Sequence, residues 1–89
     1  MAKRRAGGRD ALTAWQEENP LRQWRLRQPP EGWSRALLAR QLKVSHTAVG
    51  SWETGKRLPM VDAVAKIESL TGITATQWMQ WYSRRPETY

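Results

Sequence analysis

The chain is short, basic and free of cysteine. Its 89 residues are enough for one domain with a modest core, and no apolar run approaches the roughly 18 residues of a membrane span. The basic first residues lead into no apolar stretch, which argues against a secretory signal, and the lack of cysteine excludes disulfides and thiolate metal sites. We therefore expect a protein of the reducing cytoplasm that binds no membrane.

The net charge of +7 is concentrated in two segments. Residues 33–57 carry five basic side chains and one acidic side chain, a pattern typical of a surface that binds phosphates. Residues 1–9 carry no acidic side chain and four basic ones, which are Lys3, Arg4, Arg5 and Arg9. We expect residues 1–9 to form a flexible arm, which either solubilises the protein or follows the phosphates and minor groove of DNA.

No set of residues in the sequence is typical of an enzyme. His46 is the single histidine and Glu53 is the only acidic residue near it, so neither a metal site nor a Ser-His-Asp arrangement is predicted. No glycine-rich phosphate loop follows a strand. We therefore expect no catalytic activity, no cofactor and no small-molecule ligand.

The predicted elements are all helices, because no alternation of apolar and polar residues persists over the length of a strand. Asp10 can cap a short first helix that carries Trp15 on its apolar face and ends near Asn19. Asn19 and Pro20 then form a strong helix start, since asparagine is a good N-cap and proline fits the first helical position. The Pro29–Pro30 pair ends this second helix.

The next two helices are separated by a short turn. Ser34 caps a helix that runs to Leu42. Ser45 caps the following helix, which runs to about Thr54 and stops at Gly55.

Two further helices complete the predicted domain. One runs from about Val61 to Leu70, and its inward stripe is Val64, Ile67 and Leu70 with Met60 and Ala63 nearby. The last begins at a capping box that Thr74 and Gln77 form. The sequence thus predicts a compact five-helix domain, with the short N-terminal helix as an addition, over residues 10–85, followed by a tail at 86–89.

Six tryptophans are many for a chain of this length. Aromatic rings supply the most buried area per residue, so we expect four of them to fill the core, namely Trp24, Trp33, Trp52 and Trp78. Trp81 and Tyr82, at the end of the last helix, either complete this core or form a dimer patch.

The outer face of the helix at 45–54 carries no charge. It consists of His46, Thr47, Gly50, Ser51 and Thr54, whereas an ordinary exposed helix face is rich in Glu, Lys and Arg. Gly50 costs the helix about 1 kcal/mol relative to alanine, which fits a close approach to another surface. Base edges in a major groove require such a face; the alternatives are a poorly optimised surface helix and a protein interface.

Polar and basic residues frame this face rather than occupy it. Such an arrangement suits phosphate contacts on both sides of a groove with base contacts between them. The candidates for contacts with phosphates are Ser34, Arg35, Lys43, Ser45, Lys56 and Arg57.

Residues 20–82 resemble the Cro/C1-type helix-turn-helix family of phage repressors and related bacterial regulators. The resemblance is carried by the run from Ser34 to Pro59, and its most specific part is Trp52-Glu53-Thr54-Gly55-Lys56-Arg57 followed by Pro59. Ala39 stands at the family's small position where the two helices cross. The resemblance implies an all-α fold like that of the lambda repressor, double-stranded DNA as the partner, and a bacterial cytoplasm or a phage's host as the location.

The resemblance also implies roles for individual residues. Glu53 stands at the family's acidic position that pairs with an arginine of the first family helix, here Arg25. Arg35 stands where the family commonly has a glutamine that contacts phosphate, and Lys43 stands at a turn position that is commonly glycine. Base-reading side chains are implied at His46, Thr47 and Ser51, with Gly50 permitting a close approach.

Three functions are consistent with these features. The first is a sequence-specific transcriptional regulator, a repressor that binds a palindromic site as a homodimer. The second keeps DNA binding without transcription, as an accessory factor in phage packaging or replication or as an antitoxin. The third is a protein-interaction module whose uncharged helix face meets a partner protein.

Overall fold

The computed structural model describes residues 10–87, which form six helices and no strand. The helices are α1 (Ala11–Glu17), α2 (Pro20–Leu26), α3 (Arg35–Leu42), α4 (His46–Thr54), α5 (Val61–Thr71) and α6 (Ala75–Ser83). The predicted all-α fold is therefore confirmed over these residues, including the short helix ahead of the other five. The predicted basic arm, with Lys3, Arg4, Arg5 and Arg9, and the last two residues of the tail lie outside the described residues.

Local hydrogen bonds place most of the helix starts where the sequence predicts them. Each predicted N-cap side chain accepts a backbone N–H from three residues later, and these caps are Asp10, Asn19, Ser34, Ser45 and Thr74. The Gln77 side chain also accepts the backbone N–H of Thr74 at 2.8 Å, which completes the capping box. α5 differs, because its N-cap is Met60, which makes no capping hydrogen bond.

Each of the six helices contributes at least one buried side chain to a single core. Its buried apolar side chains are Trp15, Leu21, Leu38, Ala39, Leu42, Val49, Trp52, Ile67, Ile73, Trp78 and Trp81. Trp52 and Trp78 are thus in the core as predicted. The other two predicted core tryptophans, Trp24 and Trp33, are half-buried and pack on each other at the core's rim, with ring centroids 5.3 Å apart.

The inward stripe predicted for α5 is narrower than expected. Ile67 is fully buried, but Leu70 is 36% exposed and Met60 is 77% exposed. Leu70 lines an open groove beside Leu42 and Lys43, at the point where α3 ends, and none of residues 10–87 buries it there. The expectation that Leu70 and Met60 face inward is therefore wrong, since a helical wheel does not show where the covering helix stops.

The short helix α1 is held by a pair of stacked tryptophans. The rings of Trp15 and Trp81 are parallel, with centroids 4.1 Å apart, and each indole N–H donates to the other residue's backbone carbonyl at 2.8 Å. Trp81 is only 2% exposed, so of the two roles open to it, core or dimer patch, the structure gives it the core. Tyr82 is half-buried, and the Arg85 guanidinium lies over its ring.

Candidate nucleic-acid interface

α3 and α4 are joined by a tight turn whose geometry depends on Lys43. This residue ends α3 in the left-handed region, with φ 60° and ψ 44°. Its backbone N–H donates to the Arg40 carbonyl, and the N–H of Val44 donates to the Ala39 carbonyl at 3.0 Å. A left-handed conformation costs a residue with a Cβ about 1–2 kcal/mol. The turn therefore keeps a conformation that favours glycine although its residue is lysine.

The outer face of α4 is uncharged and accessible in the structure. His46 and Thr47 are exposed, while Gly50, Ser51 and Thr54 are half-buried. The opposite face holds Val49, Trp52 and Glu53, all buried. The Thr54 hydroxyl donates to the Gly50 carbonyl at 2.9 Å, which leaves the side chains of His46, Thr47 and Ser51 as the ones available to a ligand.

Gly50 is not required by packing within the domain. A Cβ placed at this position would meet a single neighbour among the described residues, the Nη1 atom of Arg35, at an ordinary contact distance of 3.7 Å. The fold would accept alanine there, which is the better helix former by about 1 kcal/mol. The reason for glycine at this position therefore lies outside the helix packing.

The ion pair between Arg25 and Glu53 is present and buried. The Nε and Nη2 atoms of Arg25 donate to the two carboxylate oxygens of Glu53 at 2.7 and 2.8 Å, and Nη1 donates to the Trp33 carbonyl at 2.7 Å. This two-pronged geometry fits a guanidinium to a carboxylate. It ties α2 to α4, and the hydrogen bond to the Trp33 carbonyl, which was not predicted, also ties in the loop between α2 and α3.

Arg35 joins the same carboxylate, which sequence reasoning missed. Its Nε donates to the Oε1 atom of Glu53 at 3.1 Å. The two residues are 18 positions apart on different helices, so no local spacing could have indicated the contact. Glu53 therefore accepts from two arginines, one buried and one at the surface.

The remaining predicted phosphate contacts surround the outer face of α4. Lys43, Lys56 and Arg57 are exposed. The Ser34 and Ser45 side-chain oxygens accept from the backbone N–H groups of their own helices, and each hydroxyl keeps its proton to donate outward.

An open groove runs beside α4. Its volume is about 590 Å³, and it brings Thr47 and Ser51 together with Lys56 and Arg57. Its other lining residues include the exposed Met60 and the acidic Asp62, neither of which the sequence reasoning assigned to the site.

The amino-acid sequence of the chain matches a family of known domains. A helix-turn-helix family model matches residues 21–78, which is more than half of the chain. The chain belongs to the Cro/C1-type helix-turn-helix family. It therefore contains a DNA-binding helix-turn-helix domain, of a family that is regulatory rather than typically enzymatic. No curated protein and no solved structure gave a significant match to the chain.

The helix-turn-helix match begins after α1 and ends within α6. Trp15 and Trp81, which stack on each other, both lie outside the matched residues. Within residues 10–87, no helix is both long and apolar enough to cross a membrane. The same part of the chain has no cluster of three or more His, Asp or Glu side chains suited to a metal ion.

Proposed function

We propose that this helix-turn-helix domain is a sequence-specific transcriptional repressor that inserts α4 into the major groove of double-stranded DNA. The observation that carries the proposal is the uncharged outer face of α4 with cationic groups on both sides of it. DNA-binding domains commonly combine phosphate contacts that position the protein with base contacts that specify sequence. Repression follows when the bound domain covers a promoter.

The proposed base contacts are made by the side chains that point away from the domain. His46 and Thr47 are exposed in the first turn of α4, and Ser51 follows one turn later. Hydroxyl and imidazole groups donate and accept hydrogen bonds, and the threonine methyl group contacts a thymine methyl group. Gly50 allows the helix backbone to approach the bases.

The proposed phosphate contacts lie on either side of these residues. Arg35 and Lys43 are at the two ends of α3, and Lys56 and Arg57 follow the C-terminus of α4. The hydroxyl groups of Ser34 and Ser45 add neutral donors at the starts of α3 and α4. Within the proposal, the basic arm at residues 1–9 adds phosphate or minor-groove contacts in the cytoplasm of a bacterium or of a phage's host.

We further propose that two copies bind one palindromic site. α4 has nine residues, so a single copy reads only a few base pairs, and helix-turn-helix dimers reach two half-sites about one helical turn apart. Because Trp81 is buried, a dimer surface on α6 would use Tyr82 and the exposed Met79 instead. Sedimentation of the protein with and without its selected DNA site measures this stoichiometry.

Selection from a random duplex pool, followed by fluorescence anisotropy, tests the function. We expect one enriched site, and we expect Thr47→Ala and Ser51→Ala each to weaken binding to it by roughly 5- to 150-fold, because a lost base contact costs about 1–3 kcal/mol. Thr76→Ala is the matched control, since Thr76 is exposed on α6. Equal affinity of the wild-type protein for all duplexes would contradict sequence-specific binding.

The second candidate is a protein-interaction module, which the exposed Met60 and Val61 beside the groove favour. Salt dependence separates the two. The four cationic contacts at Arg35, Lys43, Lys56 and Arg57 predict that log K falls by about 3–4 for each unit of log salt concentration, and phosphate contacts from the basic arm would steepen this slope. A flat salt response together with binding to a protein partner would favour the second candidate.

A further inference from the structure

Arg35 is held in one place on the surface by an acidic residue of the neighbouring helix. Its Nε donates to Oε1 of Glu53 at 3.1 Å, and the Glu53 side chain is fully buried while that of Arg35 is 37% exposed. Arg25 occupies the same carboxylate from the inside. Two guanidinium groups thus share one carboxylate, and the surplus positive charge is on the outer one, Arg35.

The Arg35 guanidinium lies beside α4 at Gly50. A Cβ on Gly50 would lie 3.7 Å from Nη1 of Arg35, an ordinary contact distance, so this placement of the guanidinium does not depend on the glycine. Gly50 precedes Glu53 by about one turn of α4. The hydrogen bond to the Glu53 carboxylate therefore holds the Arg35 side chain at the border of the outer face of α4.

The outward part of the guanidinium is free to bind a ligand. A guanidinium has five N–H donors, and Arg35 uses the one on Nε for Glu53. Among residues 10–87, its two Nη atoms donate to no acceptor. A planar pair of Nη donors matches two oxygens of a phosphate.

We propose that Glu53 is a positioning residue that holds Arg35 ready to bind a phosphate of the DNA backbone. This inference rests on the proposed function, because it concerns the same DNA-binding face. Glu53 then serves two purposes: it ties α2 to α4 through Arg25, and it orders a DNA contact through Arg35. An arginine fixed before binding loses less side-chain entropy when it meets the phosphate.

Removal of the Glu53 charge has opposite expected effects on DNA affinity with and without a positioning role. If charge alone matters, removing a negative charge from a DNA-binding face strengthens binding to polyanionic DNA. The positioning role of Glu53 predicts the opposite. We therefore expect Glu53→Gln to weaken DNA binding by about 3- to 10-fold, the effect of ordering one long side chain. Asp62→Asn, which removes an exposed acid from the groove beside α4, is the matched control and should leave affinity equal or higher.

A double-mutant cycle identifies the residue through which Glu53 acts. In an Arg35→Gln background, Glu53→Gln should no longer weaken binding, because the side chain that it positions is absent. Circular dichroism must show that each variant is folded under the conditions of the binding assay, since Glu53→Gln also leaves Arg25 with a weakened partner. An equal loss in both backgrounds would overturn the proposal.

Arg35→Lys keeps the test decisive if Glu53→Gln does not fold. Lysine retains the charge but has no pair of Nη donors, so we expect a loss of affinity close to that of Arg35→Gln. Wild-type affinity of Arg35→Lys would overturn the inference. In the free wild-type protein, nitrogen relaxation of the Arg35 Nε–H should also show a rigid side chain, and a mobile one would overturn it.

The identity of the ligand has its own measurement. A lost phosphate contact should reduce the salt slope by about 0.9 and weaken selected and unrelated duplexes by the same factor. A loss confined to duplexes with one particular base pair would overturn the assignment to phosphate. If the wild-type protein binds no DNA, the proposed function fails; if it binds with a steep salt slope while Arg35→Lys and Glu53→Gln bind as well as wild type, the positioning role alone fails.

Discussion

Gly55→Ala tests how closely α1 and α6 pack over the end of α4. Gly55 has φ +79°, and a Cβ built on it would overlap the Trp15 ring, 2.6 Å from Cζ3, and would lie 3.1 Å from Cη2 of Trp81. Gly72 ends α5 with a similar φ of +82°, but a Cβ there would meet no atom within 4 Å. Gly72→Ala is therefore a matched control for the backbone cost alone.

The two substitutions should differ by the steric contribution. Alanine in the left-handed region destabilises the folded protein by about 1–2 kcal/mol. Because alanine has less conformational entropy than glycine in the unfolded chain, the substitution also stabilises the folded state by roughly 0.4–1 kcal/mol. Gly72→Ala should thus lower the free energy of unfolding by about 1 kcal/mol. Gly55→Ala adds overpacking against two stacked indoles, worth about 1–3 kcal/mol, so its total loss should be about 2–4 kcal/mol.

Urea unfolding followed by far-ultraviolet circular dichroism measures both losses. The phenylalanine ring lacks the outer indole atoms that the new Cβ would overlap. In a Trp15→Phe background, Gly55→Ala should therefore cost less than in the wild-type protein, closer to the loss for Gly72→Ala. Equal losses for Gly55→Ala and Gly72→Ala in the wild-type protein would refute the reasoning, because they would show that the indoles yield at no cost.

Three further predictions concern the turn, the buried ion pair and the first helix cap. Lys43→Gly should raise the free energy of unfolding by up to about 1 kcal/mol, because φ is +60° at this position, and should weaken DNA binding, because a proposed phosphate contact is lost. Lys43→Gln should weaken DNA binding equally but should not raise the free energy of unfolding. Arg25→Ala should lower the free energy of unfolding by about 3–5 kcal/mol, since it leaves a buried carboxylate short of its main partner, whereas the exposed Arg27→Ala should leave the urea midpoint unchanged. The backbone N–H of Thr13 lowers the pKa of the Asp10 carboxyl below its usual 3.8. Because the folded pKa is the lower one, the stabilisation is complete above the unfolded pKa and is lost as the pH falls through the folded pKa. Asp10→Asn should therefore make the melting temperature depend less on pH below about pH 4, and an unchanged dependence would contradict this.

The helices could be predicted because their ends are fixed by short-range interactions. The side-chain oxygens of Ser34, Ser45 and Thr74 each accept a backbone N–H from three residues later, so capping oxygen and N–H donor lie within one turn of the chain. The uncharged outer face of α4 was predictable for the same reason, since the helical period alone decides which residues share a face. The prediction that Leu70 is buried was wrong, because its burial depends on where another helix ends.

The candidate site was predictable in its composition and not in its connections. The residues of the outer face of α4 and the cations around it follow from the sequence. The contact between Arg35 and Glu53 does not, because it joins two helices through a single side-chain hydrogen bond. Only the packing of α3 on α4 brings the two side chains within reach.

Neighbouring residues alone were enough to predict the helices, most of their caps, the uncharged face of α4 and the family to which the domain belongs. Which side chains meet across the core depends on how the helices pack. Trp15 and Trp81, 66 residues apart, stack and exchange hydrogen bonds, and this contact gives the short α1 a place to dock and removes Trp81 from the surface. Caps and faces are local and can be predicted from neighbouring residues, whereas a contact of this kind exists only once the whole chain has packed.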